Sequence, residues 1–197
     1  DVSTPLVLAS LRDVGAPEEG LASVGAPRPA PARPPPDLDL IRRFTGRAWS
    51  GLESDDPALP VIARLATEAL RDAPGDFEAR VTVWDVGSGP VLAALGVAFP
   101  ARFGNLDRAL DGLLDEVDRR AGTDAFLRAR AEVERVWTAE LTTPLGRIEA
   151  VGRDLDRTGR PTATRERLDA VAALDPARLR AALGRLRGAP PATVTVR

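Results

Sequence analysis

The 197-residue chain fits one ordinary domain with a tail and can bury a real apolar core, and its net charge of -2 with interspersed signs gives no whole-molecule field for nucleic acid or an anionic membrane. It has no His, no Cys, no Met and no Tyr, and all 27 basic residues are Arg. Zinc sites of the ordinary kind, Ser-His-Asp or Cys-His nucleophiles, haem and iron–sulfur clusters are therefore excluded within it, leaving carboxylate chemistry, Arg electrostatics or a partner's residues.

The Ala/Leu/Arg/Gly/Pro bias is that of a GC-rich, bacterial genome. No apolar run reaches the ~20 residues of a membrane helix, so a soluble protein without a membrane span is expected. The start at Asp1 without Met points to a processed product, cytoplasmic or exported. Residues 1–37 form a tail, with "VGAP" repeated at Val14 and Val24 as loop punctuation and a short helix or strand over Pro5–Gly15. The run "RPAPARPPPD" (Arg28–Asp37) is an extended, semi-rigid linker, because proline removes the donor a helix or sheet needs. Residues 38–197 form the single domain.

In that domain "RAWSGLE" (Arg47–Glu53) alternates loosely and reads as a strand. A helix follows with Ser54 or Asp55 as cap, Pro57 near its first turn, and Leu59, Ile62, Leu65, Ala66 and Leu70 on one face. "ARVTVWDV" (Ala79–Val86), the turn "GSGP" (Gly87–Pro90) and "VLAALGVAFP" read as an antiparallel hairpin. The turn lacks the Lys-Ser/Thr and following helix of a phosphate loop.

From Asn105 the pattern is helical. Leu106, Leu110, Leu113, Leu114 and Val117 share one face, with Asp111, Asp115, Glu116 and Asp118 solubilising the other, and Gly122 stops the helix. A long helix capped by Thr123 or Asp124 carries Phe126, Leu127, Ala131, Val133 and Trp137. Pro144 forces a bend, because proline disfavours a helical Thr143. A helix over about Leu145–Arg157, two shorter helices and a strand "ATVTVR" (Ala192–Arg197) complete the chain. Asp154 and Asp156, like the acidic face before them, show no catalytic partner. The cluster Arg178, Arg180, Arg185 and Arg187 opposes a helix dipole, with peptide carboxylate as its alternative role. The blockwise order predicts an α+β fold: a mostly antiparallel sheet of about four strands, helices on one face, and the final strand returning beside an earlier one. Trp49, Trp84 and Trp137 are core or interface anchors.

The segment Asn105–Leu155, with its Ala-Leu-rich helix, "TAEL" turn and bend near "TTPLGR", resembles the C-terminal half-domain of the pitrilysin/insulinase family of zinc peptidases. This is the inverted-zincin family that includes mitochondrial processing peptidase and the bc1 core proteins. "LDAVAALDPARLRAALGRL" looks like the family's closing segment and "ATVTVR" like its last strand, so the likeness spans roughly residues 45–197. The family's zinc half carries H-x-x-E-H, two imidazoles for the metal and a Glu for its water. This His-free chain cannot be that half. The resemblance therefore implies a non-catalytic half of a clam-shell peptidase, with no cofactor of its own, any zinc lying in a homologous partner chain or domain, and a peptide between them. The alternative is a structural subunit of a larger complex. Where the family's second half places a substrate-binding Arg and Tyr, this chain has the shortened, Tyr-free "LRDAPGDFEARVTVW". The resemblance puts Arg71 and Arg80 in the substrate role; Trp84, on a strand between Thr82 and Val86, has as its alternative to an anchor a place on a sheet face that lines a chamber.

Overall fold

In the computed structural model the described residues are 42–85 and 89–196. The expected tail and linker, and the tip of the "GSGP" turn, lie outside them. Four strands, β1 (Arg43–Trp49), β2 (Phe77–Asp85), β3 (Pro90–Ala98) and β4 (Ala192–Val196), form one antiparallel sheet in the order β2-β3-β1-β4. Seven α-helices among the described residues complete the expected α+β fold. They are α1 (Ala58–Asp72), α2 (Phe103–Asp111), α3 (Leu113–Arg120), α4 (Asp124–Thr142), α5 (Pro144–Thr158), α6 (Ala163–Ala172) and α7 (Pro176–Leu186). The last strand returns to β1, with Thr45 and Thr195 hydroxyls 3.2 Å apart across the pair.

The first strand begins four residues earlier than the alternation suggests. Its core-facing positions include Thr45 and Arg47 as well as Trp49, so the buried face does not read as apolar. Gly51, at φ +116°, ends the run with a backbone conformation that side chains resist. Pro57 stands at the N-cap position of α1 rather than Ser54 or Asp55, and the side chain that meets the first helical N–H is that of Asp56, whose Oδ1 accepts from Ala58 at 2.9 Å. The helix expected from Asn105 is two helices, parted at Gly112, whose φ/ψ of -85°/3° leaves the helical well. The apolar stripe runs across the break, because Leu106, Leu110, Leu113, Leu114 and Val117 are all buried.

The core lies between sheet and helices. Ile62 and Leu65 of α1, Phe126 of α4 and Leu179 and Leu183 of α7 are closed to solvent, and Trp49 joins them from the sheet. On α4 the inward face is Phe126, Ala129 and Val133 with half-buried Trp137, whereas Leu127 points outward, 52% exposed. Gly96 of β3 permits the close approach of α2: a Cβ there would stand 2.4 Å from Leu106 Cδ1.

The bend between α4 and α5 forms where Pro144 requires it. Thr143 is extended, and its hydroxyl accepts the Gly146 N–H at 3.0 Å, capping α5. A Cβ on Gly146 would lie 2.0 Å from the Glu140 carbonyl oxygen, so the close contact of the two helices demands glycine.

Candidate functional site

Strand alternation assigns the two faces of the sheet. Phe77, Ala79 and Val81 of β2 pack toward the helices, so their neighbours Glu78, Arg80, Thr82 and Trp84 face the other way. Through the register, that second face continues over Val91, Leu95 and Val97 of β3, Phe44 of β1, and Val194 and Val196 of β4. No helix among the described residues covers it. Phe44 is 48%, Trp84 46%, Leu95 41% and Val194 64% exposed, although all are large and apolar. Gly46 lies beneath this surface, where Leu95 folds over it: a Cβ would meet Leu95 Cδ2 at 2.6 Å. These large apolar side chains stand exposed together on one side of the sheet, interleaved with Glu78, Arg80 and Thr82.

Its charges gather at the β2 edge. Arg80 stands on β2 with Trp84 four residues further along the same face. Arg42 closes one corner, donating to Glu78 Oε1 at 3.0 Å while its guanidinium carbon lies 5.1 Å from the centre of the Phe99 ring. Two of the residues singled out in the sequence thus share one surface. Arg71 does not join them: it is exposed in the last turn of α1, in the helical layer on the opposite side of the sheet.

Behind the open face, the sheet is held to α2 by a buried arginine that periodicity did not reveal. Arg47 Nη2 donates to Asp107 Oδ1 at 2.7 Å and Nε to Asp111 Oδ1 at 2.8 Å, while Nη1 donates to Thr45 Oγ1 at 3.0 Å. Burial works against the charge of Arg47, but the hydrogen bonds and fields of Asp111 and Asp107 outweigh it and hold its pKa above the ordinary arginine value. Asp111, which the helical pattern assigns to a solubilising face, is therefore half of a tether.

Asp115 and Asp118 of that face are likewise matched to the C-terminal arginines, whereas Glu116 pairs within its own helix with Arg119 and Arg120. Arg180 Nε and Arg187 Nη1 each donate to Asp118 at 3.1 Å, Arg187 Nη2 donates to Asp115 at 2.8 Å, and Arg185 pairs with Asp56. These pairs tie α7 to α3 and to the start of α1. Asp154, on α5, is buried and accepts the Thr164 N–H and hydroxyl at 2.6 and 2.7 Å. Its chemistry is that of a helix lock.

Neither a protein-family model nor a curated protein sequence matches this chain. Solved structures do. The periplasmic protease PqqL from Escherichia coli superposes with a TM-score of 0.63 at 11% identity, over 80% of this chain and 19% of that one. The inactive peptidase domain of a protein described as a zinc protease, from Bordetella parapertussis, gives 0.65 at 14% identity, covering 79% of this chain and 92% of that one. A protease from Helicobacter pylori gives 0.66 at 11%, over 80% and 42%. This chain has the fold of a zinc-protease domain, spanning about a fifth of PqqL and nearly all of the Bordetella domain. A zinc centre of the H-x-x-E-H kind does not fit it. Its sequence has no His or Cys, and among the described residues no group of three or more His, Cys, Asp or Glu side chains is placed to hold a metal.

Proposed function

We propose that this chain is the non-catalytic half of a pitrilysin-like clam-shell metallopeptidase, which pairs with a zinc-bearing chain or domain and encloses a peptide between them. The observation that carries this reading is the bare apolar sheet face of Phe44, Trp84, Leu95 and Val194 on a fold shared with zinc-protease domains. Such a face loses free energy to water at about 25 cal/mol per Å² until something covers it. A second shell that closes over part of it, with a peptide laid against the rest, gains that energy. In this arrangement Trp84 supplies aromatic surface and Arg80 a cation at the rim, and the metal, its water and its general base all belong to the partner.

The test is co-expression with a chain that carries H-x-x-E-H, followed by size exclusion and native mass spectrometry. A stoichiometric complex that cleaves a peptide neither chain cleaves alone is expected. Leu95→Asp, which places a carboxylate in the centre of the face, weakens that complex by about tenfold or more. Co-purification failure combined with unchanged sedimentation on mixing removes the proposal.

A second reading, a structural subunit of a larger complex, is favoured by a different surface. Helix α5 exposes Leu145 at 65%, Ile148 at 70% and Leu155 at 50%, a stripe at helical spacing in the helical layer. The Tyr-free segment Leu70–Trp84 points the same way. A complex that survives Leu95→Asp but dissociates with Ile148→Asp identifies this role.

A further inference from the structure

Near the β2–β3 turn, the sheet meets α4 and the start of α1 around a hollow of about 270 Å³. Leu59, Pro60, Val83, Pro90 and Trp137 give it an apolar lining, and Arg167 of α6 is the cation among its described lining residues. The guanidinium is held from one side. Its Nη2 donates to Asp154 Oδ1 and Thr164 Oγ1, both at 3.1 Å, and its carbon lies 5.8 Å from the centre of the Trp137 ring. Its Nε is buried without an acceptor among the described residues, and Nη1 makes no hydrogen bond among them. Asp56, also in the lining, has both oxygens engaged: Oδ1 accepts the Ala58 N–H at 2.9 Å and Oδ2 pairs with Arg185. The hollow therefore combines an apolar floor, one aromatic ring and a guanidinium whose Nη1 is unbonded among the described residues, its Nε being closed to solvent, with a carboxylate already committed elsewhere.

We propose that this hollow binds the C-terminal residue of a peptide, its apolar side chain against Trp137, Val83 and Pro90 and its α-carboxylate on Arg167. Charge complementarity selects the carboxylate, because a guanidinium and a carboxylate carry opposite charges and form short, directional charge-assisted bonds, whereas a neutral amide oxygen supplies no charge. Volume selects a single residue, because the space falls below the ~300–1,000 Å³ that drug-sized ligands occupy. The open sheet face lies on the other side of β2 from Val83, so this is a second peptide contact, separate from the wall described above. It rests on the reading that the assembled shell takes peptides. It is tested on the single chain, so its failure leaves the pairing with a zinc-bearing partner standing.

The experiment is an NMR titration of the intact chain, following the Trp137 indole N–H, assigned by its loss in Trp137→Phe. The probes are Ala-Ala-Ala-Phe, the same peptide with a C-terminal amide, and N-acetyl-phenylalanine. The free-acid peptide is expected to shift the resonance saturably, with the amide weaker by about tenfold. Arg167→Gln is expected to remove the acid–amide difference. Because Arg167 also braces α6, Val83→Phe provides an independent arm: it fills the hollow from the sheet side and abolishes the shift with unchanged circular dichroism. Equal affinity for acid and amide, or no shift of Trp137 with any probe, overturns the assignment. N-acetyl-phenylalanine carries the whole terminal residue and is expected to bind about as tightly as the peptide; its failure to shift Trp137 while the peptide does so overturns the one-residue assignment.

Discussion

Asp154 and Thr164 form a two-point lock between α5 and α6: one carboxylate oxygen accepts the Thr164 N–H at 2.6 Å and the other its hydroxyl at 2.7 Å. Both residues are buried, and Arg167 adds a third donor at 3.1 Å. Asp154→Ala leaves those donors without their acceptor in a site closed to water, and a loss of about 3 kcal/mol is expected. Asp154→Asn keeps one carbonyl acceptor and loses about half as much. Urea denaturation followed by circular dichroism measures both. A loss below about 1 kcal/mol for the alanine variant sinks this account, since even an ordinary hydrogen bond contributes that much.

The Arg47 tether makes a second prediction. Arg47→Met keeps the length and apolar stem of the side chain but strands Asp107 and Asp111, and it is expected to destabilise the chain by about 2–3 kcal/mol, less than a fully buried pair because both carboxylates are partly solvated. The folded-state pKa of Arg47 is raised, so its contribution is fully present below the ordinary arginine value and is lost only as pH climbs past it. Between about pH 6 and 9 the Arg47 charge therefore adds no slope to stability. Stability curves of wild type and Arg47→Met that run parallel over that window bear this out.

These two tethers show where the sequence is legible and where it is not. Helices α1, α4 and α7 announce themselves through apolar spacing, and the α4–α5 bend through Thr143-Pro144, because periodicity and proline sterics act locally. Gly112 breaks a helix without interrupting its apolar stripe, so spacing alone runs the two halves together. Asp111 and Asp154 read as solvated because charges usually are, and Arg47 reads only as the start of a strand. Arg47 and Asp154 are buried against partners 64 and 10 residues away, a fact that belongs to topology, and Asp111 is engaged by that distant arginine while staying exposed. The exposed sheet face is hidden for the same reason. Val194 and Leu95 look like core residues until the register shows which side the helices occupy.

An exposed pair supplies a titration test. Arg135 donates to both oxygens of Glu132, each at 2.8 Å, and these bonds, assisted by the fields of Arg135 and Arg64, hold the Glu132 carboxyl below its ordinary pKa. A depressed carboxylate contributes stability above its ordinary pKa and loses it as pH falls through the folded value. The pair is open to solvent, so salt screens it. In Arg135→Gln the NMR titration midpoint of Glu132 should rise toward the ordinary value. An unmoved midpoint rules out Arg135 as the cause.

Two glycines separate steric demand from conformational preference. Both have negative φ, so alanine is penalised only for the space it takes. Gly96→Ala pushes against Leu106, a side chain that can turn, and is expected to cost about 1–2 kcal/mol. Gly146→Ala meets the Glu140 carbonyl oxygen, which is backbone, and is expected to cost about 3 kcal/mol and to open the angle between α4 and α5. Thermal melts rank the two, and a larger loss at Gly96 contradicts the argument.

The pairing of β1 with β4 joins residues 150 positions apart. On a ribosome adding about 5–20 residues per second, β1 waits many seconds beside β3 with its other edge bare before Ala192–Val196 emerge. Throughout that interval Phe44 to Ala48 offer unpaired backbone to any neighbouring strand, which is the usual template for misassembly. The sheet is thus most vulnerable between the emergence of β3 and that of β4, and a companion shell already present at translation would shield it during that wait.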